Sequence, residues 1–431
     1  MRVEQVAIPL IRNVVSRPKL AKVLFGRDRW GNPFDDAVMA DPYPGVELMR
    51  ADGVVTYRGL YQQWFVTGYE EARQVLSSSA CGTTAQADVL LQVRPFSKLS
   101  DQAKEFFSLW LLLVDPPDHT RLRSLVARAF TPNRVRDLEA KVELLVDELI
   151  AEMLTQDEPE AVEQFCAKLP VAVIGELLGL PRERWEWSRA STEHLVKLLN
   201  PFDWFDPYAM NKVIAEAHEY WGQLADERLA DPQDDLLSAM VTAGHDGDRL
   251  SRPELIAMIA FLMGAGHETT TNLLGMSIIH LARNPEQRRL IRDQPELWPN
   301  AVEELIRYDT SVRISPRATV NDIEVGGVTI PAGANVLVQL SGANRDPRRF
   351  ERPNELLLDR DDPSPISFGH GIHHCIGASL ARMELRIGLS KFVVAFGDYQ
   401  VDEGRLEWKR SSTLRGPGVL PVRRAATASE P

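Results

Sequence analysis

The chain has 431 residues, 44% of them apolar and 26% charged, which is typical of a folded protein with one large domain or two or three ordinary ones. Its net charge of −12 argues against generic binding to nucleic acid or to an anionic membrane. The three cysteines, Cys81, Cys166 and Cys375, form no disulfide framework and favour a reducing, cytoplasmic location.

The apolar stretches are short. The N-terminal run 6–11 is interrupted by Pro9, and the longest uncharged apolar run covers residues 255–266. Both are shorter than the roughly 20 residues that cross a bilayer. We therefore expect neither a signal peptide nor a membrane anchor.

The first half of the chain predicts helices with two short strands. Strand-like segments at 53–57 and 63–67 precede a helix over 69–75. Residues 80–105 show no strong hydrophobic periodicity and are interpreted as a surface loop. Three amphipathic helices are predicted over 138–154, 162–178 and 182–199. The aromatic, proline-bounded segment 200–208 then forms either a lid over an apolar cavity or a packed corner.

A basic helix begins near Asp118, which can cap it after two prolines. His119 and Arg123 are four residues apart, so they share one face. Two cationic donors on one face suit an anionic group, and a solvated basic face is the alternative. This segment also contains Arg121, Arg128, Arg134 and Arg136. These arginines form either a docking site for an acidic electron-transfer partner or scattered surface charge.

A long buried helix is predicted over 251–283. Ser251 and Glu254 form a capping box, and residues 255–266 are apolar all round. Polar residues then follow, and the Thr269 hydroxyl can reach the Ala265 carbonyl four residues earlier. Polar residues in the middle of a buried helix cost stability, so such a stretch usually marks a functional site. The alternative is a glycine kink with a solvated Glu268.

The following segment carries a charged pair and short strands. Glu304 and Arg307 are three residues apart on one helix face, which in isolation indicates a surface pair. Glycine and proline turns then separate short predicted strands at 315–319, 323–325, 328–330 and 335–339.

Residues 368–377 form a glycine-rich loop that ends just before a helix predicted from Ala378. The helix N-terminus there favours the thiolate of Cys375, which would be a nucleophile or a metal ligand. A structural cysteine is one alternative. A zinc site with the neighbouring histidines lacks a second ligand pair, and a dinucleotide-binding loop lacks its third glycine.

Four residues of this loop, Phe368, Gly371, Cys375 and Gly377, resemble the haem-binding signature Phe-x-x-Gly-x-x-x-Cys-x-Gly of the cytochrome P450 superfamily. The resemblance extends from about residue 41 to residue 422. It implies a mainly α structure with a smaller β region in the triangular-prism fold of that family. It also implies one domain over 1–431, with an N-terminal extension at 1–40 and a flexible tail at 424–431.

The resemblance implies roles for individual residues. Cys375 would be the axial ligand of the iron of haem b, and 80–105 would roof the substrate pocket. Residues 265–269 are similar to the family's oxygen-activating motif, in which Thr269 orients dioxygen and water and Glu268 supplies protons. Glu304 and Arg307 would form a buried structural pair. The family often adds an arginine to this pair, and Glu355 stands at the matching position of this chain. The resemblance places four residues at the haem propionates, His119, Arg123, Arg317 and His373, and four in the substrate pocket, Leu262, Ala265, Ile314 and Leu414.

The implied function is that of a haem-thiolate monooxygenase that inserts one oxygen atom of O2 into a small apolar organic substrate by hydroxylation or epoxidation. Electrons would come from NAD(P)H through a separate ferredoxin and ferredoxin reductase, and we expect a monomer. Two alternatives remain, a peroxide-driven haem enzyme and a non-catalytic haem-binding or sensing protein. The intact pair of Glu268 and Thr269 argues against the first.

Overall fold

The structure is a computed structural model that describes residues 30, 35–59, 61–92, 96–130, 132–199, 205–242 and 249–424. Most of the predicted N-terminal extension, 1–40, therefore lies outside the described residues, as do 200–204 of the predicted lid or corner. Arg424, the first residue of the predicted tail, is the last residue of a strand. Residues 425–431 lie outside the described residues.

Helices form most of the described chain. Those of the first half are α1 Asp36–Ala40, α2 Tyr43–Asp52, α3 Tyr69–Ser77, α4 Thr84–Gln92, α5 Asp101–Ser108, α6 Asp118–Ala129, α7 Pro132–Asp137, α8 Glu139–Leu154, α9 Lys168–Leu178 and α10 Trp185–Val196. Those of the second half are α11 Pro207–Ala230, α12 Leu236–Thr242, α13 Arg252–Arg283, α14 Pro285–Asp293, α15 Trp298–Tyr308, α16 Leu340–Ala343 and α17 Ala378–Phe396. A π-helical turn, Val162–Cys166, precedes α9.

The strands are short and gather mainly in one sheet. They are β1 Val55–Arg58, β2 Gln63–Val66, β3 Cys81–Gly82, β4 Ile314–Thr319, β5 Ile323–Val325, β6 Val328–Ile330, β7 Asn335–Gln339, β8 Tyr399–Val401, β9 Glu407–Trp408, β10 Pro417–Val419 and β11 Val422–Arg424. Five of them form a sheet in the order β1-β2-β7-β4-β3, in which only the β2–β7 pair is parallel. The remaining strands form the two-stranded pairs β5–β6, β8–β11 and β9–β10.

Two buried apolar clusters correspond to the helical body and to the sheet. The helical body is arranged around α13, which packs against α9, α10, α11 and α17. Apart from a short polar stretch near its middle, α13 is apolar on every face, so it is stable only where other helices cover it. In the part of the chain that the structure describes, no helix combines the length and apolarity needed to cross a membrane.

The capping box predicted for α13 is present. The Ser251 hydroxyl accepts a hydrogen bond from the Glu254 amide at 3.4 Å, and the Glu254 carboxylate accepts one from the Ser251 amide at 2.8 Å. The cap predicted for α6 is wrong: Pro117 occupies the cap position, makes no side-chain cap bond, and Asp118 is the first helical residue.

The surface loop predicted for 80–105 is also wrong, since this stretch contains β3, α4 and the start of α5. Helix α5 begins at a Ser100 cap, whose hydroxyl accepts from the Ala103 amide, and it buries Phe106 and Phe107. Each element is too short to establish a period in the sequence, and burial of the two phenylalanines provides the stability that local propensity lacks.

Candidate active site

The loop before α17 is held by its own backbone. The Cys375 amide donates to the Phe368 carbonyl at 2.8 Å, and Gly369 and Gly371 both have φ of +72°. A Cβ at Gly371 would lie 2.5 Å from the Leu76 carbonyl oxygen of α3, so only glycine fits. The loop thereby places Cys375 three residues before α17.

Cys375 is accessible at its surface although protein surrounds it closely. Burial raises the pKa of its thiol, and the Gly377 amide and the guanidinium groups of Arg123 and Arg382 only partly offset this. The helix N-terminus favours the thiolate through the Gly377 amide, as predicted, but burial outweighs this contribution. A metal ion at the sulfur would add positive charge that stabilises the thiolate, so the position suits a metal ligand.

A cluster of nitrogen donors lies beside the loop. The ring centroids of His119, from α6, and His373 are 4.3 Å apart, and Arg123 donates to the His374 carbonyl at 2.6 Å. Within the described residues, both His119 ring nitrogens and Nε2 of His373 are buried without a hydrogen-bond partner, and a carboxylate oxygen of Asp115 lies 3.9 Å from His373 Nε2. Buried donors left without partners are costly, so this cluster suits an added acceptor.

Arg317 in β4 is also buried, at 4% exposure, and burial lowers its pKa to about 10. Its guanidinium donates to the Ser315 hydroxyl and to the Pro316 carbonyl. The predicted cationic character of His119 is wrong: burial, together with His373 and Arg123, lowers its pKa to about 4, so it is a neutral donor at pH 7.

The middle of helix α13 is mostly buried. Phe261, Ala265 and Thr269 are half-buried there and recur every four residues, so they form a strip on one face of the helix. The predicted hydrogen bond from the Thr269 hydroxyl to the Ala265 carbonyl is present at 2.7 Å. Because most other side chains of this middle part are covered by protein, the strip is a candidate functional face.

Glu268 lies next to this strip but makes contacts of its own. Its Oε1 accepts from Lys409 Nζ at 2.8 Å and from Asn272 Nδ2 at 3.3 Å. Glu268 is 9% exposed, so the alternative of a solvated acid is wrong. Lys409, just after β9, is a partner that sequence analysis missed because it lies 141 residues further along the chain.

The pair of Glu304 and Arg307 is fully buried in α15. Arg307 donates to both Glu304 oxygens, at 2.6 and 2.8 Å, and its remaining donors reach backbone carbonyls. Arg360 Nε donates to Glu304 Oε2 at 2.9 Å. The third partner is therefore Arg360, and Glu355 contributes only its backbone carbonyl, to Arg307 and to Arg360.

Hydrogen bonds connect this ion-pair cluster to the cysteine loop. Arg307 donates to the Asn344 carbonyl, and the Asn344 side chain bonds to the Ser367 hydroxyl and to the Ile366 amide. Ser367 also donates to the Ile306 carbonyl at 2.9 Å. These bonds fix the segment that enters the loop at Phe368.

The four predicted pocket residues do not share one environment. Ala265 and Ile314 are half-buried, whereas Leu262 is 4% exposed and faces the core. The structure places Phe261 on the accessible strip instead of Leu262, because Phe261 is four residues before Ala265. Leu414 lines a polar cavity on the Glu268 side of α13.

The basic segment of α6 and α7 has less free charge than its sequence indicates. Arg121 forms ion pairs with Glu254 and Asp118, and Arg134 lies 3.4 Å from Asp234. The side chain of Arg128 lies outside the described residues. These carboxylates reduce the attraction that the segment would exert on an acidic partner.

His267 makes stability depend on pH. It is 1% exposed, and burial lowers its pKa to about 3, so its ring is neutral in the fold but takes up a proton in the unfolded chain as the pH falls below its ordinary value. We expect the wild type to lose about 2 kcal/mol more than a His267→Gln variant between about pH 7 and about pH 5. Urea unfolding at both pH values measures this. The exposed His194→Gln control should follow the wild type, and equal losses for His267→Gln and wild type would contradict the expectation.

Comparisons with known proteins agree with this geometry. A family model described as Cytochrome P450 matches residues 188–409. The chain is 38% identical to "Cytochrome P450 107B1" of Saccharopolyspora erythraea over 408 residues, which cover 91% of this chain and 97% of that protein. It is 36% identical to the "Mycinamicin IV hydroxylase/epoxidase" of Micromonospora griseorubida, over 90% of this chain and 97% of that protein.

Among solved structures, the chain is similar to CalO2 with a TM-score of 0.85 and 29% sequence identity. The match covers 91% of this chain and 98% of CalO2. The similarity therefore includes the helical body and the sheet together.

Proposed function

The chain belongs to the cytochrome P450 family, and on this premise we propose that Cys375 is the thiolate ligand of its haem iron. The protein is a haem b monooxygenase of the P450 fold that acts on a small organic substrate, with electrons from NAD(P)H delivered by redox partners. The predicted fold class, mainly α with a smaller β region, is confirmed.

The residues fit such a group. Burial raises the pKa of the free Cys375 thiol, and the iron of a bound haem would supply the positive charge that stabilises the thiolate. The carboxylates of the haem propionates would accept hydrogen bonds from His119 and His373, whose buried ring nitrogens lack partners among the described residues. We propose that Arg123 and Arg317 complete this propionate site, and that Phe368, Gly371 and Gly377 shape the loop around the haem.

When bound, the haem supplies the activation of dioxygen and the transfer of one oxygen atom to the substrate. We propose that Thr269 and Glu268 handle the protons. The Thr269 hydroxyl, with its hydrogen committed to the Ala265 carbonyl, keeps its oxygen lone pairs available as an acceptor. The Glu268 carboxylate, on the side of the polar cavity, exchanges protons with water. The buried cluster of Glu304, Arg307 and Arg360 holds the loop.

The observation that carries this proposal is an exposed Cys375 beside a cluster of buried histidine nitrogens that have no hydrogen-bond partner in the described part of the chain. The test is the absorption spectrum of the dithionite-reduced protein with carbon monoxide. We expect a strongly red-shifted Soret band in the wild type and in Cys166→Ala, the matched control in the π-helical turn, and its loss in Cys375→Ala. A colourless wild-type protein would overturn the haem site, and a haem band without the shift would point to His374 as the ligand.

The donor cluster makes a second prediction. His119→Phe keeps an aromatic ring and the neutral charge but removes the one N–H donor of the neutral imidazole, so we expect haem to dissociate about tenfold faster, the equivalent of one lost hydrogen bond. Haem transfer to an excess of a haem-free globin measures the rate. His218→Phe is the control, since His218 is a half-buried histidine that packs on Phe106. Equal rates for His119→Phe and His218→Phe would contradict the propionate assignment.

We propose a small apolar substrate, because the accessible strip of α13 carries Phe261 and Ala265 beside Thr269. A relative is named as a hydroxylase/epoxidase, which supports hydroxylation or epoxidation here. We propose that a ferredoxin and its reductase supply the electrons and that the protein is a single-domain monomer. We also propose that it is located in the cytoplasm, where its three cysteines stay unpaired. A peroxide-driven enzyme is less consistent with an acid and a hydroxyl placed side by side on α13.

A further inference from the structure

A cavity of about 300 Å³ lies on the Glu268 side of α13. Its walls come from the π-helical turn before α9, from α10, from α13 and from residues 409–418, and among the described residues that line it none belongs to the cysteine loop. Charged side chains from different elements line it, among them Arg189, Glu193 and Lys409. At roughly 30 Å³ per molecule the volume accommodates about ten waters.

Charged side chains indicate that this cavity is wet. Glu193 and Lys409 line it, and their side chains are 43% and 29% exposed. An ionised group keeps water around it unless other groups pair with it completely. The cavity therefore suits a chain of water molecules that leads from the surface to α13.

Glu268 lies at the inner wall of this cavity and is fixed there by one cation. Lys409 Nζ donates to its Oε1 at 2.8 Å, and the backbone of Lys409 is itself held, since its amide donates to the Gly416 carbonyl at 3.0 Å. Arg189, the other nearby cation, is already paired with Glu186, Glu193 and Glu163. An ammonium group has three N–H donors, so Lys409 can bind Glu268 and water at once.

We propose that Lys409 is a positioning residue, which holds the Glu268 carboxylate at the inner end of this water-filled cavity so that protons from solvent reach it there. The inference rests on the proposed function, because Glu268 must be the proton donor for its position to matter. Loss of Lys409 leaves the carboxylate with only the longer of its two bonds from described residues, from Asn272 Nδ2 at 3.3 Å, and a displacement of about 1 Å is enough to slow a proton transfer substantially.

The test needs no known substrate. With a surrogate plant-type ferredoxin and its reductase, substrate-free protein reduces O2 either to peroxide, with two electrons and two protons, or to two waters, with four of each. One NAD(P)H per O2 thus indicates peroxide, and two indicate water. We expect Lys409→Met to raise the peroxide-to-water ratio about tenfold over wild type, and Lys409→Arg to restore it to within about twofold. Lys141→Met, which removes an exposed lysine paired with Glu176 at 3.0 Å, should match the wild type.

The outcomes separate the two proposals. If Lys409→Met equals the wild type while Glu268→Gln raises the ratio, the positioning role is wrong and the role of Glu268 stands. If Glu268→Gln also equals the wild type, the proposed proton role of Glu268 fails, and the role of Lys409 with it.

A second readout is independent of turnover. The midpoints of urea unfolding of wild type, Lys409→Met, Glu268→Gln and the double variant form a double-mutant cycle. We expect the double variant to lose less stability than the two single losses together, since each single change already removes the ion pair. Additive losses would show that the pair does not form and would overturn the proposal.

Discussion

Replacing Glu304 with alanine is expected to lower the free energy of unfolding by roughly 3–5 kcal/mol, the usual cost of breaking a buried ion pair by removing one partner. Glu304 and Arg307 both have fully buried side chains, and Arg360 Nε donates to the same carboxylate. The variant leaves two guanidinium groups without their anion in the protein interior. The amide of Leu357, which donates to Glu304 Oε1 at 3.0 Å, also loses its acceptor. Urea unfolding followed by circular dichroism measures the change.

The neighbouring residue provides a matched control. Glu303 is paired with Arg382 at the surface, where both side chains are partly exposed. Exposed pairs contribute about 0–1 kcal/mol, so Glu303→Ala should remain within about 1 kcal/mol of wild type. Equal stabilities for Glu304→Ala and Glu303→Ala would refute the interpretation of a structurally essential buried cluster.

The same substitution should also affect the cysteine loop. Arg307 holds the Asn344 carbonyl, and the Asn344 side chain fixes the Ile366 amide at 2.8 Å and the Ser367 hydroxyl at 2.6 Å. Losing the anion of Arg307 loosens this path to Phe368. We therefore expect the folded fraction of Glu304→Ala to retain less haem per chain than Glu303→Ala. A domain is stable by only about 5–15 kcal/mol, so a loss of roughly 3–5 kcal/mol also lowers the folded fraction of Glu304→Ala. Haem content is therefore compared per folded chain.

Local signals predicted much of the fold. The limits of β5, β6 and β7 were predicted to the residue, because Gly326-Gly327 and Pro331-Ala332-Gly333 mark the turns between them. Helix α13 was predicted from a capping box and an apolar run, both of which are encoded within the helix itself. The hydrogen bond of Thr269 to Ala265 follows from a spacing of four residues.

What sequence could not provide was contact across long separations. Arg360 joins Glu304 from 56 residues away, and Lys409 joins Glu268 from 141 residues away, through connections whose path no local pattern specifies. The sequence showed the helix N-terminus, which favours the Cys375 thiolate, but not the burial that raises the pKa of the thiol. Short elements such as α4 and α5 were missed for a similar reason, since packing rather than propensity stabilises them.

Replacing Thr269 with alanine is expected to separate electron consumption from oxygen transfer. The helix should remain intact, because alanine is the best helix former and, among the described residues, the Thr269 side chain bonds to the Ala265 carbonyl of its own helix alone. NAD(P)H oxidation continues, but without the hydroxyl the protons arrive more slowly. General acid catalysis typically contributes a factor of about 10²–10⁴, so we expect peroxide release to exceed water formation by at least about tenfold relative to wild type. An oxygen electrode with a peroxide assay measures both.

Two variants make this test specific. Thr269→Ser retains the hydroxyl and should behave like the wild type, whereas Thr270→Ala makes the same chemical change one residue later, at a side chain that is buried away from the accessible strip. Thr270→Ala should therefore affect stability more than the products of oxygen reduction. If Thr269→Ala and Thr270→Ala gave the same peroxide fraction as the wild type, the proton-handling role of Thr269 would be wrong. Its bond to Ala265 would then be a local feature of the helix interior without catalytic consequence. If Thr269→Ala alone raised the fraction, the half-buried strip of α13 would be the face on which oxygen is reduced.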